Sequence, residues 1–194
     1  MEMTLYGVAV VLIVAAVFIA MLSIVYMSVR NGISPMPSSF AVRRAVAAEI
    51  HSFPRIGTIV EAGSGWGTLA FLLAKQSRRV RQEAEPEPAV IGIENSAVPL
   101  LVSKLLRIML GEGRVSFTRR DIYTYPYQGA DIVVCYLFPQ AMHKLSGIFR
   151  ERLSLGTRII SVCFALPGWV PDKVIVCEDL YRTKIYIYSV SWSV

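Results

Sequence analysis

"VEAGSGWGTLAFLLAK", residues 60–75, sets three glycines, Gly63, Gly65 and Gly67, between an apolar run and a helical pattern. A strand that turns through glycines into a helix is the opening unit of a doubly wound α/β sheet, and glycines at that turn let a ligand approach the backbone. The flanking sequence continues the pattern. "GTIVEAG" (57–63) reads as the strand and "WGTLAFLLAKQS" (66–77) as the helix. Before them, "SSFAVRRAVAAEIHS" (38–52) predicts an amphipathic helix capped by Ser38 or Ser39. After them, the charged, proline-containing stretch 78–89 predicts a solvated loop.

Strand and helix then alternate. "VIGIEN" (90–95) is a second strand, and "SAVPLLVSKLLRIML" (96–110) a helix with Pro99 in its first turn. "RVSFTRRDI" (114–122) reads as a third strand ending at Asp121, and "ADIVVCYLF" (130–138) as a fourth. "PQAMHKLSGIFRERL" (139–153) is a helix opened by Pro139, and "TRIISVCFAL" (157–166) a fifth strand. The tail, "DKVIVCEDLY" and "RTKIYIYSVSWS", gives two strands with no helix between them. Strand and helix alternating through five strands imply a parallel sheet covered on both faces. The near-continuous apolar runs "DIVVCYL" and "RIISVCFAL" suit strands buried on both sides. The closing hairpin adds an antiparallel strand. With 194 residues there is room for one such domain and little more.

The remaining room is taken by the front of the chain. Residues 5–29 carry no charge, and hydrophobic residues make up 54% of the whole. As a helix that segment would extend roughly 37 Å, enough for a hydrocarbon core of about 30 Å. A secretory signal would have a basic start and a shorter apolar core, whereas this chain starts "MEMT". The expectation is a transmembrane anchor over residues 1–30, a linker over 31–36 ("NGISPM") and a domain over 37–194. A cleaved signal or a buried helix is the alternative. Glu2 precedes the span and Arg30, Arg43 and Arg44 follow it, which places the domain on the cytoplasmic side. All 20 Lys and Arg lie at or beyond Arg30, with all but one of the 14 acids. A basic domain at a membrane meets anionic headgroups, and no nucleic-acid-binding motif accompanies the charge.

The three cysteines, Cys135, Cys163 and Cys177, sit in apolar runs without C-x-x-C spacing, so neither a disulfide framework nor a metal site is expected. His51 and His143 are isolated and read as surface or packing residues.

The glycine turn decides the ligand. A dinucleotide loop would place glycine at 68, where the chain has Thr68, and a P-loop would end in Lys-Ser/Thr. Glu61 stands two residues before the first glycine. A carboxylate beside a diphosphate is repelled by about 1 kcal/mol in water and several times more in a cleft. It suits a ligand that carries positive charge there. S-adenosylmethionine carries a sulfonium and an ammonium, no phosphate, and a ribose whose two hydroxyls a carboxylate can accept from. That ribose needs an acid at the end of the second strand, where Glu94 stands, followed by Asn95. The adenine amino group needs an acceptor near the end of the third, where Asp121 and Ile122 stand. The cofactor set is therefore Glu61, Ala62, Gly63, Ser64, Gly65, Gly67, Glu94, Asn95, Asp121 and Ile122. The other reading of Glu94 and Asp121 is as helix caps or loop charges.

"E-x-G-x-G-x-G" with "GIE" and "RDI" resembles the class I, seven-stranded methyltransferases that use S-adenosylmethionine. The resemblance spans roughly residues 37–194. It implies a Rossmann-like sheet of order 3-2-1-4-5-7-6 with strand 7 antiparallel. More narrowly, "MPSSFAVRRAVAAE", "EAGSGWGTL", "GIENSAV", "RRDIYTY" and "LSLGTRIISVCFALPGWVPDKVI" are similar to the membrane-anchored, FAM173-type protein-lysine methyltransferases. That family includes mitochondrial enzymes acting on the ATP synthase c subunit and on the adenine nucleotide translocase. Two departures stand out: Trp66 where the family has Asp, and Tyr123 where it often has Trp. The resemblance also implies that the helix at 37–52, starting with Pro37 and Ser38, packs over the cofactor.

A lysine substrate must lose its proton before methylation, and an apolar aromatic channel favours that by desolvating the ammonium. Tyr136, Phe138 and Pro139, at the end of the fourth strand, are the expected substrate wall. Tyr123, Tyr125 and Tyr127 lie in the loop before that strand. No residue is marked as a general base. Three function classes follow: a membrane-tethered methyltransferase acting on lysine of a protein, membrane proteins included; one acting on a lipid, quinone or other small membrane substrate; and a non-catalytic binding module or oxidoreductase. Glu61 and the missing glycine at 68 argue against the oxidoreductase.

Overall fold

The computed structural model describes residues 5–31, 39–54, 56–80 and 88–191. Most of the expected linker, with Pro37 and Ser38, and residues 81–87 of the expected loop lie outside the described residues. The elements run α1 (Leu5–Asn31), α2 (Phe40–His51), β1 (Thr58–Ala62), α3 (Thr68–Val80), β2 (Ala89–Glu94), α4 (Ala97–Leu110), β3 (Val115–Arg119), β4 (Ile132–Cys135), α5 (Pro139–Arg152), β5 (Arg158–Val162), β6 (Lys173–Val176) and β7 (Lys184–Ser189). Seven strands form one sheet in the order β3-β2-β1-β4-β5-β7-β6. β7 runs antiparallel to both of its neighbours, and the other pairings are parallel.

The core follows from the period of two along each strand. Ile59, Ile132, Val134, Ile160 and Val162 point into one apolar layer with Val46, Ile50, Leu73 and Leu100 of α2, α3 and α4. Val60, Ala62, Val133, Cys135 and Ile159 point into the other, with Ala141, Met142, Leu145 and Phe149 of α5. Ser39 caps α2 by accepting from the Val42 amide at 3.3 Å. At the far end of α2, Lys173 of β6 reaches buried Glu49 at 2.6 Å, tying this helix to the outer hairpin. α4 ends on Gly111 in the left-handed conformation, a common helix terminator.

Several boundaries differ from expectation. β4 stops at Cys135 and β5 at Val162, short of the expected 138 and 166, so Tyr136 and Phe138 follow β4 rather than end it. α3 starts at Thr68 and continues through Val80, so Arg78 and Arg79 belong to the helix rather than the loop. The start is late because Gly63, Gly65 and Gly67 all have positive φ, which a helix cannot include. β3 ends at Arg119, and Asp121 lies in the turn beyond it. There its own backbone carbonyl accepts from the amides of Thr124 and Tyr125.

Among the described residues one helix, over Tyr6–Val29, is long and apolar enough to cross a membrane, with mean hydropathy 3.2. It is not a core helix, since none of that window is buried. Its C-terminal turns are partly covered at Ser23, Ile24, Met27 and Ser28, and α1 packs beside α4.

Candidate active site

The carboxyl ends of β1, β2 and β4 open onto a cavity of about 400 Å³. Its wall contains Glu61, Gly63, Ser64, Gly65, Glu94, Asn95, Asp121, Ile122, Tyr136 and Phe138, so the structure gathers ten residues singled out in the sequence. Ala62, Gly67 and Pro139 stand outside that wall. Ala62 points into the α5-side core. Pro139 is spent on the first turn of α5. Gly67 is packed by protein, because a Cβ there would lie 2.5 Å from Phe117 Cζ.

The glycines therefore divide. Gly63 (φ +77°) and Gly67 (φ +76°) are required by backbone conformation and by Leu137 and Phe117 pressed against them. A Cβ at Gly65 would meet nothing within 4 Å, so only this glycine leaves open space for a ligand. The turn is pinned to the end of β2, where the Gly63 and Ser64 amides both donate to the Ile93 carbonyl at 2.9 Å. The Gly65 amide donates to Glu94 Oε2 and the Ser96 amide to Oε1, each at 2.8 Å. Two backbone donors thus fix the Glu94 carboxylate in a buried position at the cavity wall.

Glu61 is the most perturbed acid. Alternation along β1 turns its side chain toward α3, where the Ala70 amide in the first helical turn donates to it. Its pKa is pushed up to about 8, chiefly by burial; the Ala70 hydrogen bond opposes the rise and the nearby Glu94 charge adds to it. Oε2 of Glu61 is buried without a hydrogen-bond partner, and so is Oγ of Ser64. An unpaired buried acceptor costs about 1–3 kcal/mol, and here it borders a cavity. A cationic donor would relieve it.

The loop after β3 forms the opposite wall. Asp121 Oδ1 accepts from the Tyr123 amide at 2.8 Å, so part of this carboxylate shapes its own turn. Arg152 of α5 donates to the carbonyls of Tyr123 and Tyr125 at 2.9 and 3.0 Å. Tyr127 donates its hydroxyl to the Ile122 carbonyl at 2.8 Å. Its ring stacks edge-on against Phe149 and Tyr125. Tyr127 is fully buried and belongs to the core, with its phenol pKa raised by burial; Tyr123 alone of the three loop tyrosines reaches the cavity. On the third side, Phe164 of the segment after β5 joins Tyr136, whose phenol burial also shifts upward. That segment is fastened to α5: Ser146 Oγ donates to the Pro167 carbonyl at 2.6 Å, and Trp169 Nε1 to the Ser146 carbonyl at 3.2 Å.

Several wall residues were not singled out in the sequence. Gln140 and Lys144 come from the first turns of α5, and Pro99 from that of α4. Ile24, Met27 and Ser28 come from α1, and no local signal could have linked that helix to the site. The expectation that the helix at 37–52 packs over the cofactor is not met by Phe40–His51, which adds no residue to the wall and packs on α3 instead; its expected start, Pro37 and Ser38, lies outside the described residues.

This strand order and glycine turn define the class I methyltransferase fold. Residues 61–173 match the family described as the ANTKMT methyltransferase domain, and the chain belongs to that family. A curated relative, a protein-lysine N-methyltransferase of Saccharolobus islandicus (strain REY15A), is 28% identical over 79 residues. That match covers 40% of this chain and 49% of the relative, so the chain spans about half of the relative's length. Among solved structures, an RNA methyltransferase from Salinibacter ruber in complex with S-adenosyl-L-homocysteine superposes with TM-score 0.68 at 22% identity, over 82% of this chain and 96% of that one. Magnesium protoporphyrin IX methyltransferase from Synechocystis PCC 6803, with bound S-adenosylmethionine, gives TM-score 0.59 at 16% identity, over 77% and 78%. At these identities the two structures establish the fold.

Proposed function

We propose that this methyltransferase uses S-adenosylmethionine to methylate lysine of a protein substrate, held at a membrane by residues 1–30 with domain 37–194 on the cytoplasmic side. The observation that carries the cofactor reading is the unpaired, buried Glu61 oxygen beside the open face of Gly65. It fits a ligand with positive charge and no phosphate. Glu94, oriented by two amides, holds the ribose hydroxyls. Asp121, with Ile122 beside it on the cavity wall, would accept from the adenine amino group. Glu61 would hold the ammonium of the amino-acid moiety, an ion pair that would return its raised pKa toward the ordinary carboxylate range.

S-adenosylmethionine supplies an electrophilic methyl group on sulfur. The chain's own part is alignment and exclusion of water. Tyr136, Phe138 and Phe164 line the apolar side of the cavity. There they desolvate an incoming ammonium, favour its neutral form and stabilise the methylated cation through ring faces, worth about 0.5–2 kcal/mol. The lysine reading is supported by the family and by the protein-lysine methyltransferase relative. The membrane reading is supported by the apolar Tyr6–Val29 helix and the arginines that follow it.

The test is label transfer from methyl-labelled S-adenosylmethionine, with the full chain and a membrane extract. Label recovered as methyl-lysine in protein is the expected result. Label in the solvent-extractable fraction would overturn the lysine assignment in favour of a lipid or quinone.

A further inference from the structure

α4 carries an apolar face that the domain does not cover. Leu101, Leu105, Ile108 and Met109 fall at the i, i+4, i+7, i+8 spacing of a single helical stripe, and Ile108 and Met109 are 73% and 80% exposed. Four large apolar side chains on one exposed stripe are unusual unless they meet something. Their neighbours say what. α4, which carries the stripe, packs beside α1, the helix apolar enough to cross a bilayer. No acid occurs in α4, and Glu112 just beyond it is buried. The exposed charges of α4 and the adjacent edge strand are basic: Lys104 and Arg119. An apolar stripe rimmed by bases suits an anionic lipid interface.

Depth along α1 gives the same level. About 20 residues of helix cross a hydrocarbon core of about 30 Å. Counted from Leu5, that distance ends near Ile24. Ile24, Met27 and Ser28, which wall the cavity, then lie at the headgroup level. We infer that the Leu101–Leu105–Ile108–Met109 face of α4 lies in the headgroup region of the bilayer that α1 crosses. The active-site cavity then opens at the membrane surface. This inference rests on the proposed membrane-spanning role of α1. It narrows the substrate to lysines within reach of the bilayer surface.

The experiment uses the full chain in vesicles of phosphatidylcholine with about one-third phosphatidylserine. An environment-sensitive fluorophore is attached in turn at Val14→Cys in mid-α1, Met109→Cys on α4, and Glu151→Cys on the exposed side of α5. The signal of the equally treated parent chain is subtracted. The expected result is loss of Val14 emission with deep nitroxide lipids and of Met109 emission with shallow ones, while Glu151 responds only to aqueous iodide. Met109 quenched by iodide, with Val14 in lipid, would overturn the docking face and leave the span standing. Met109 shielded from both quenchers would mean that a protein, a second copy included, covers the face, and would also overturn it. Val14 outside lipid would remove the span, and the docking face with it.

Discussion

α4 and α5 are both 14 residues long and flank the same sheet, yet they spend their apolar residues in opposite ways. α5 buries Ala141, Met142, Leu145 and Phe149 completely and presents His143, Arg150 and Glu151 to solvent. α4 buries only Pro99, Leu100 and Ser103 and presents Leu101, Leu105, Ile108 and Met109. Their first turns nevertheless do the same job, since Pro99 on one and Gln140 and Lys144 on the other wall the same cavity. The contrast teaches that α4 has more apolar surface than its sheet can cover. The surplus is the face inferred above to meet lipid.

The largest effect expected is on the α5 side. Phe149→Ala removes a fully buried ring that braces Tyr127, and should cost about 3–5 kcal/mol, read from urea unfolding of the full chain in detergent. A cost below 1 kcal/mol would break the contrast from that side. Gly67→Ala comes next. It combines a positive φ with a Cβ clash against Phe117, and should cost about 1–3 kcal/mol. Gly65→Ala has no such clash, so its larger effect should fall on cofactor affinity, read by calorimetry.

Glu61→Gln should lower cofactor affinity about 10–100-fold, the loss of a charge-assisted contact, with the far-ultraviolet spectrum unchanged. The pH dependence sharpens this. The folded-state pKa of Glu61 is raised from 4.5 to about 8, so the folded chain holds a proton that the unfolded chain has released. Stability from this group is present below the unfolded value and is lost as pH rises toward about 8. The stability advantage of Glu61→Gln over wild type should therefore grow from pH 5 to about 8. Cation binding to the carboxylate releases that proton, so affinity should rise over the same interval; a flat profile would remove Glu61 from the cation site. Smallest is the effect of Ile108→Ser on folding in detergent, within about 0.5 kcal/mol, because the side chain leaves water-exposed surface rather than a core.

The sheet was legible because its signals are local. Continuous apolar runs mark β4 and β5, the glycines mark the first turn, and acids at strand ends mark the ligand side. Glu61 and Glu94 kept their expected places on the cavity wall because each sits within a residue of a strand's carboxyl end. The loop after β3 was less legible. Tyr123 and Tyr127 are alike in sequence, but only the fold separates the cavity residue from the core residue: Phe149 of α5 packs against Tyr127. Likewise, three glycines at alternate positions look equivalent until Leu137, from the segment after β4, and Phe117 of β3 press on two of them.

By itself the sequence determined the order of elements and the place of the cavity at the first glycine turn, since these depend on near neighbours along the chain. Tertiary structure alone decided which glycine faces open space, that Glu61 keeps one oxygen without a partner, and that the end of α1 joins the cavity wall beside a bare face of α4. Each depends on contacts between segments far apart in sequence, where packing and desolvation act and local propensity carries no information.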